Sequence, residues 1–141
     1  MHHVLEVAQA GFVEELEDGL QTRVAQGGTN FSGGQKQRLA IARALIKKAD
    51  MYIFDDSFSA LDFKTDSNLR KALNKEIKDS AILIIAQRIN TILNADQIIV
   101  LNDGKVVGIG KHDELMKNCT VYQEIAKSQM KGDIDNAKTE K

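Results

Sequence analysis

The sequence contains no proline and a single cysteine among its 141 residues. Without proline, punctuation between elements falls to glycine and the Asx residues. The lone thiol, Cys119, excludes an internal disulfide and fits a reducing compartment. It reads as a small apolar residue beside a helix. No apolar run nears the roughly 18 residues needed to cross a bilayer. The opening Met1-His2-His3-Val4 lacks signal-peptide architecture. Neither sign of charge dominates: 19 basic residues stand against 20 acidic ones, and a formal net charge of -1 gives no global field to hold nucleic acid or an anionic membrane. There is no internal repeat, no heptad run and no interdomain linker. No stretch fits G-x-x-x-x-G-K-[ST] either; in the nearest, "GIGKHD", the lysine precedes His112 and has no glycine at the required distance.

What is present is the composition of one globular domain with a core, 43% hydrophobic and 28% charged. Leu5, Ala8, Phe12 and Leu16 keep helical spacing over residues 2–17, interrupted by Gly11, and a polar loop with paired glycines follows at 21–30. Ser32 reads as an N-cap, with Gln35 completing a capping box. The helix over 32–49 has an apolar face on Leu39, Ala42, Leu45, Ile46 and Ala49, and turns Lys36, Arg38, Arg43 and Lys47 mainly away. "MYIFDD" (51–56) and "AILIIA" (81–86) read as strands buried on both faces. An amphipathic helix over 65–78 lies between them. "QIIVL", Asn102-Asp103-Gly104 and "KVVGIG" read as strand, turn and returning strand. Helices cover "HDELMKN" and "VYQEIAKSQM", and from Lys131 the composition becomes that of a polar, frayed tail. Strand-helix-strand order predicts a parallel α/β sheet.

The stretch "TNFSGGQKQRLAIARAL" (29–45) sets two glycines directly before a helical pattern. A helix N-terminus offers unpaired N–H groups and a partial positive charge, and glycines there admit a phosphate with no Cβ in its way. Taken alone, Gly33 and Gly34 fit a phosphate cradle and a plain loop-to-helix transition equally well. Downstream, the apolar strand ends in Asp55 and Asp56. A carboxylate at a strand tip is placed to hold Mg²⁺, usually through water. A second one beside it can orient or deprotonate an attacking water. The plainer alternative is that both aspartates cap the following turn.

Three stretches in this order, "SGGQKQRLAIARAL", "MYIFDDSFSALD" and "IIAQRINTILNADQIIVLNDGKVVGIGKHDEL", resemble the second half of an ABC transporter nucleotide-binding domain of the exporter class, across residues 4–130. The resemblance implies an α/β P-loop NTPase (RecA-like) fold. The chain would be an ABC cassette fragment, a parallel sheet with flanking helices plus part of the helical signature subdomain. It implies residues 1–48 as that subdomain, 49–130 as the C-terminal half of the ATPase core and 131–141 as a polar tail. Ser32, Gly33, Gly34 and Gln35 match the signature motif, which in this family contacts the γ-phosphate of ATP held mainly by the opposite cassette. Asp55 matches the Mg²⁺ carboxylate of the Walker B strand, and Asp56 the catalytic carboxylate after it. Ser59, Ala60, Leu61 and Asp62 match the D-loop at the dimer interface, and Gln87 matches the catalytic switch position. Gln26-Gly27-Gly28 falls at a short loop that exporters hold against their transmembrane domain, although it departs from the usual acidic-Arg-Gly pattern. His112 lies in a G-x-H-x-E-L segment that the family uses structurally. The cofactors implied are ATP and Mg²⁺. The partners implied are a second cassette and a transmembrane domain, at the cytoplasmic face of the plasma membrane, with no nucleic acid.

Two positions depart from the family. Its usual glutamate is Asp56 here, and its usual histidine is Gln87. Aspartate keeps the charge but withdraws it by about one C–C bond, ~1.5 Å. A misplacement of about 1 Å in a catalytic group loses on the order of a hundredfold in rate. Glutamine hydrogen-bonds a phosphate but carries no positive charge and transfers no proton. With the signature intact, the pattern resembles the degenerate subunit of a heterodimeric exporter, which requires a non-identical partner. The family's adenine-stacking aromatic, phosphate loop and Q-loop match nothing in the chain. It is therefore expected to be a fragment, with negligible ATP affinity and no ATPase activity alone, and with "MYIFDD" deprived of flanking strands. Two rival readings stand beside this one. A non-transporter ABC ATPase of DNA repair or chromosome maintenance is opposed by the missing heptads and the exporter-like close "LNDGKVVGIGKHDEL". A binding-only regulatory or docking module is compatible with Asp56 and Gln87. Lys36, Arg38 and Arg43 read as a solvated face with pairing inside the cassette, and Tyr52 as core.

Overall fold

The structure, a computed structural model, describes residues 1–139, with side chains through Gln129. The chain forms two compact units, Met1–Ile85 and the residues from Ala86 onward. In the first, helix α1 (His2–Val7) leads through a 3₁₀ turn at Gly11–Glu15 and a polar loop to helix α2 (Gly33–Leu45), strand β1 (Met51–Asp55), helix α3 (Phe63–Glu76) and strand β2 (Ala81–Ile85). β1 and β2 pair in parallel, Met51 opposite Ala81 and Asp55 opposite Ile85. Thus α2 and β1, on either side of the expected division at 48/49, share one unit.

Tyr52 and Phe54 on β1 pack with Leu5 of α1, Ile41 of α2 and Leu69 and Leu73 of α3 in a single apolar cluster. Tyr52 is core, as its position in the strand suggests, and its hydroxyl accepts from the Ala49 N–H at 3.2 Å. Leu69, fully buried, is its most sensitive point. Leu69→Ala should cost roughly 2–5 kcal/mol through lost burial and the cavity left behind. Urea unfolding followed by circular dichroism checks this, and a cost below about 1 kcal/mol would mean that the cluster does not hold the unit together.

The two strands are not buried on both faces. Along β1 burial alternates, with Met51 49% and Ile53 61% exposed, and Leu83 and Ile85 of β2 are exposed beside them. Their continuous apolar composition fits a sheet covered on both sides, yet the described elements supply a layer to one face only. Three further boundaries differ from the sequence reading. The helical spacing over 2–17 breaks at Gln9, at φ +55°, two residues before Gly11. Helix α2 ends at Leu45 rather than 49, Lys48 turning left-handed (φ +45°) and Ile46 facing solvent. Arg38 is half-buried rather than turned away: it donates to the carbonyls of Gln9 at 2.6 Å and Gly34 at 3.3 Å, with its guanidinium 4.9 Å from the Phe12 ring centroid.

The second unit contains helix α4 (Ile89–Ile92), strands β3 (Ile98–Asn102) and β4 (Lys105–Gly110), helix α5 (His112–Asn118) and helix α6 (Thr120–Thr139). β3 and β4 form the expected antiparallel hairpin, Asn102 opposite Lys105. Its two-residue turn uses Asp103 and Gly104, both left-handed, the conformation that the right-handed twist of a tight hairpin requires. Cys119 is buried, with Ile98, Val100, Leu115 and Tyr122 in the same cluster. The His112 ring and the Tyr122 hydroxyl hydrogen-bond at 2.9 Å, in keeping with a structural role for His112. Burial pushes the Tyr122 phenol above its ordinary range. Where a frayed tail is expected from Lys131, the backbone continues α6 to Thr139; residues 140 and 141 lie outside the described residues. No helix among the described residues is long and apolar enough to cross a membrane.

Candidate functional site

The predicted capping box is present. The Gln35 N–H donates to Ser32 Oγ at 3.2 Å, and the Ser32 N–H donates back to Gln35 Oε1 at 2.8 Å. This reciprocal pair fixes the entry of α2 and satisfies two of its orphan donors. The N–H groups of Gly33 and Gly34 belong to the first turn and have no acceptor within the helix. Ser32 and Gly33 are exposed and Gly34 half-exposed. The helix start is therefore open.

At the tip of β1, Asp55 and Asp56 are both exposed. Asp56 takes a left-handed backbone, φ +49°, uncommon for a non-glycine residue and tolerated best by Asn and Asp. Its N–H donates to the Ile85 carbonyl at 3.1 Å, extending the parallel ladder by one bond. The turn that follows returns to α2. An ideal Cβ on Gly33 would lie 3.3 Å from Ala60 Cβ, and one on Gly34 would lie 3.0 Å from the Ala60 carbonyl oxygen and 3.4 Å from Leu61 Cδ2. The two glycines thus let the helix start approach the backbone of the turn, a close contact that a side chain would block. The structure brings Gly33 and Gly34 together with Ala60 and Leu61 in this way, with Asp55 and Asp56 at the head of the same turn; Ser32 caps the same helix, and Ser59 is tied to it by a hydrogen bond from Gln37.

Leu61 is buried and anchors the turn in the core. Asp62 caps α3, its Oδ1 accepting from the Thr65 N–H at 3.0 Å. Hydrogen bonds from Thr65 hold the Asp62 carboxyl below the ordinary carboxylate range. Gln87 lies in the second unit with its side chain exposed. The Gln87 carbonyl accepts from Gln129 Nε2 at 2.6 Å, and Gln129 Oε1 takes the Ile89 N–H at 2.8 Å. The loop Gln26-Gly27-Gly28 is a single 3₁₀ turn with both glycines left-handed. An opening of about 370 Å³ lies over Arg23, Val24, Ala25 and Gln26.

Two residues that sequence reasoning passed over fix the backbone at these positions, each within its own unit. Gln37 joins α2 to the turn after Asp56 through both ends of its amide. Gln129 pins the backbone on both sides of Arg88. Their partners lie at sequence separations of 19 and 42 residues, beyond the reach of any local pattern.

Asp55 offers one exposed carboxylate, and no group of three or more His, Cys, Asp or Glu among the described residues could hold a metal ion. That donor set suits Mg²⁺, which is held by one or two carboxylates with water and substrate phosphate filling its shell. It does not suit zinc, which needs a cage of protein ligands.

The model of the ABC transporter family matches residues 6–59. An ABC transporter ATP-binding protein of Mycobacterium tuberculosis is 53% identical over 130 residues, which is 92% of this chain and 22% of that protein. An ATP-dependent lipid A-core flippase of Hahella chejuensis is 42% identical over 119 residues, 84% of this chain and 20% of the flippase. Among solved structures, a bacterial Atm1-family ABC exporter with ATP bound matches at a TM-score of 0.86 and 34% identity, over 90% of this chain and 23% of the exporter. The chain spans about a fifth of the length of the curated relatives it matches.

Proposed function

We propose that this chain, which is similar to the ATP-binding domains of exporter-type ABC transporters and folds as a fragment of that cassette, works as the ATP-driven part of a membrane exporter at the cytoplasmic face of the plasma membrane. In this reading the start of α2 contacts the terminal phosphate of ATP bound by a second, non-identical cassette. Asp55 and Asp56 carry the carboxylates of a weakened half-site, and Gln87 takes the switch role. The observation that carries the reading is the open, capped start of α2 seated against the turn that follows Asp56.

The roles follow from chemistry. The N–H groups of Gly33 and Gly34, at the positive end of the helix, bind the phosphoryl oxygens, and Ser32 presents a hydroxyl at the same mouth. Asp55 would hold Mg²⁺, which when bound neutralises charge on the transferring phosphate. Asp56 orients and deprotonates the attacking water, but from a carboxylate one methylene short of the family's glutamate. Gln87 donates a hydrogen bond where a histidine would also carry charge.

The test compares the full-length exporter purified alone with the same protein purified with its partner cassette. Alone it should turn ATP over slowly; with the partner, hydrolysis should rise by at least about tenfold, the scale of one restored positioned group. Robust hydrolysis by the self-paired protein, unchanged on adding the partner, would refute the non-identical pairing.

A further inference from the structure

Gln37 is half-buried two positions beyond the capping box, with every hydrogen-bonding atom of its amide engaged in the turn that follows Asp56. Its Nε2 donates to the Asp56 carbonyl at 3.1 Å and to Ser59 Oγ at 3.0 Å, and its Oε1 accepts the Ala60 N–H at 3.0 Å. The amide cannot be turned over without setting donor against donor at Ala60 and acceptor against acceptor at Asp56. The Asp56 carbonyl also receives the Ser59 N–H at 3.3 Å and Ser59 Oγ at 3.0 Å, while the Asp56 N–H is bound to Ile85. Both backbone groups of Asp56 are therefore fixed at a left-handed φ, and its carboxylate has no partner among the described residues. A backbone held in a sparsely populated region persists only where its surroundings over-determine it, and Gln37 supplies the share of that restraint that comes from α2.

We propose that Gln37 is a positioning residue that makes the phosphate-contacting start of α2 and the Asp56–Ala60 turn a single mechanical unit, so that a nucleotide engaged at α2 alters the aim of the Asp56 carboxylate in the chain's own half-site. The inference rests on the proposed phosphate contact at Ser32–Gln35 and deepens it. Gly33 and Gly34 lie four and three residues before Gln37, about one helical turn, so a shift of the helix start reaches the Asp56 carbonyl through one side chain.

The experiment uses the full-length exporter with its partner cassette and two substitutions. Gln37→Leu keeps the volume and removes all three bonds; Gln37→Glu keeps the acceptor for Ala60 and removes the donor to Asp56 and Ser59. Amide exchange over 56–61 should quicken by about tenfold in Gln37→Leu, with the helix at 63–76 unchanged. The kcat should fall by about tenfold, with KM for ATP moving by less than about twofold, the sign of a group lost only from the aligned state. Gln37→Glu sets a carboxylate oxygen against the Asp56 carbonyl and should be at least as impaired as Gln37→Leu in both readouts. Faster exchange with kcat unaltered would overturn the proposal, and so would unaltered exchange. Ser32→Ala separates this inference from the reading beneath it. If Ser32→Ala leaves turnover intact, the phosphate contact itself fails; if it slows turnover while Gln37→Leu does not, only the coupling through Gln37 fails.

Discussion

Replacing Gly34 by valine in the assembled exporter is expected to cut ATP turnover by about a hundredfold, about 2.7 kcal/mol of barrier. The cause is local. A Cβ at residue 34 would lie 3.0 Å from the Ala60 carbonyl oxygen, a backbone atom that cannot rotate out of the way. The two γ-methyls of valine add further bulk beside Leu61, itself held in the core. Either α2 lifts from the turn or the turn slides away from α2. A displacement near 1 Å in groups that must meet a phosphate is enough for a loss of this size. Gly11 provides the control, since a Cβ there meets nothing within 4 Å; Gly11→Ala should leave turnover within about twofold, as substitutions away from packed features do. Steady-state hydrolysis, with a melting curve to show that both variants are folded, decides the matter. A folded Gly34→Val with wild-type turnover would show that the contact between α2 and Ala60 has no part in the chemistry.

The contrast between these glycines also shows which parts of the molecule were legible beforehand. Ser32 and Gln35 announce their capping box because its partners stand three residues apart, and Asp103-Gly104 announces the hairpin because the turn must be left-handed at both residues. Those are local constraints, written locally. The one-sided burial of β1 is a different kind of fact. Met51 and Ile53 are as apolar as Tyr52 and Phe54, and nothing in the run says which face a neighbouring layer will cover. The same holds for Gln37: a glutamine on a helix between a lysine and an arginine reads as surface, and only the return of the chain at Ser59 and Ala60 gives its amide three partners. The pair Asp55-Asp56 reads as a candidate site from its place at a strand tip, but that reading does not contain the left-handed backbone of the second aspartate, which depends on the bond to Ile85 and on the donors gathered at its carbonyl.

That backbone sets the terms for Asp56→Glu, the change expected to raise turnover most. Lengthening the side chain returns about 1.5 Å of reach, worth on the order of ten- to a hundredfold if the shorter carboxylate is what holds the self-paired protein back. Against it stands φ +49°, where an aspartate is better tolerated than a longer side chain; the left-handed penalty for ordinary residues is about 1–2 kcal/mol. The two effects fall on different quantities. The strain lowers folding stability, because the bonds from Ile85, Ser59 and Gln37 hold the turn in place, whereas the recovered reach lowers the barrier. Asp56→Glu should therefore melt a few degrees earlier, as a loss of about 1 kcal/mol implies, and yet hydrolyse ATP at least about tenfold faster. Adding Gln87→His should raise the rate again, since an imidazole supplies the charge and the proton that an amide lacks. If Asp56→Glu shows the lower melting point but no gain in rate, the glutamate has entered the turn without aiding catalysis. The shortened carboxylate would then not be what limits this half-site.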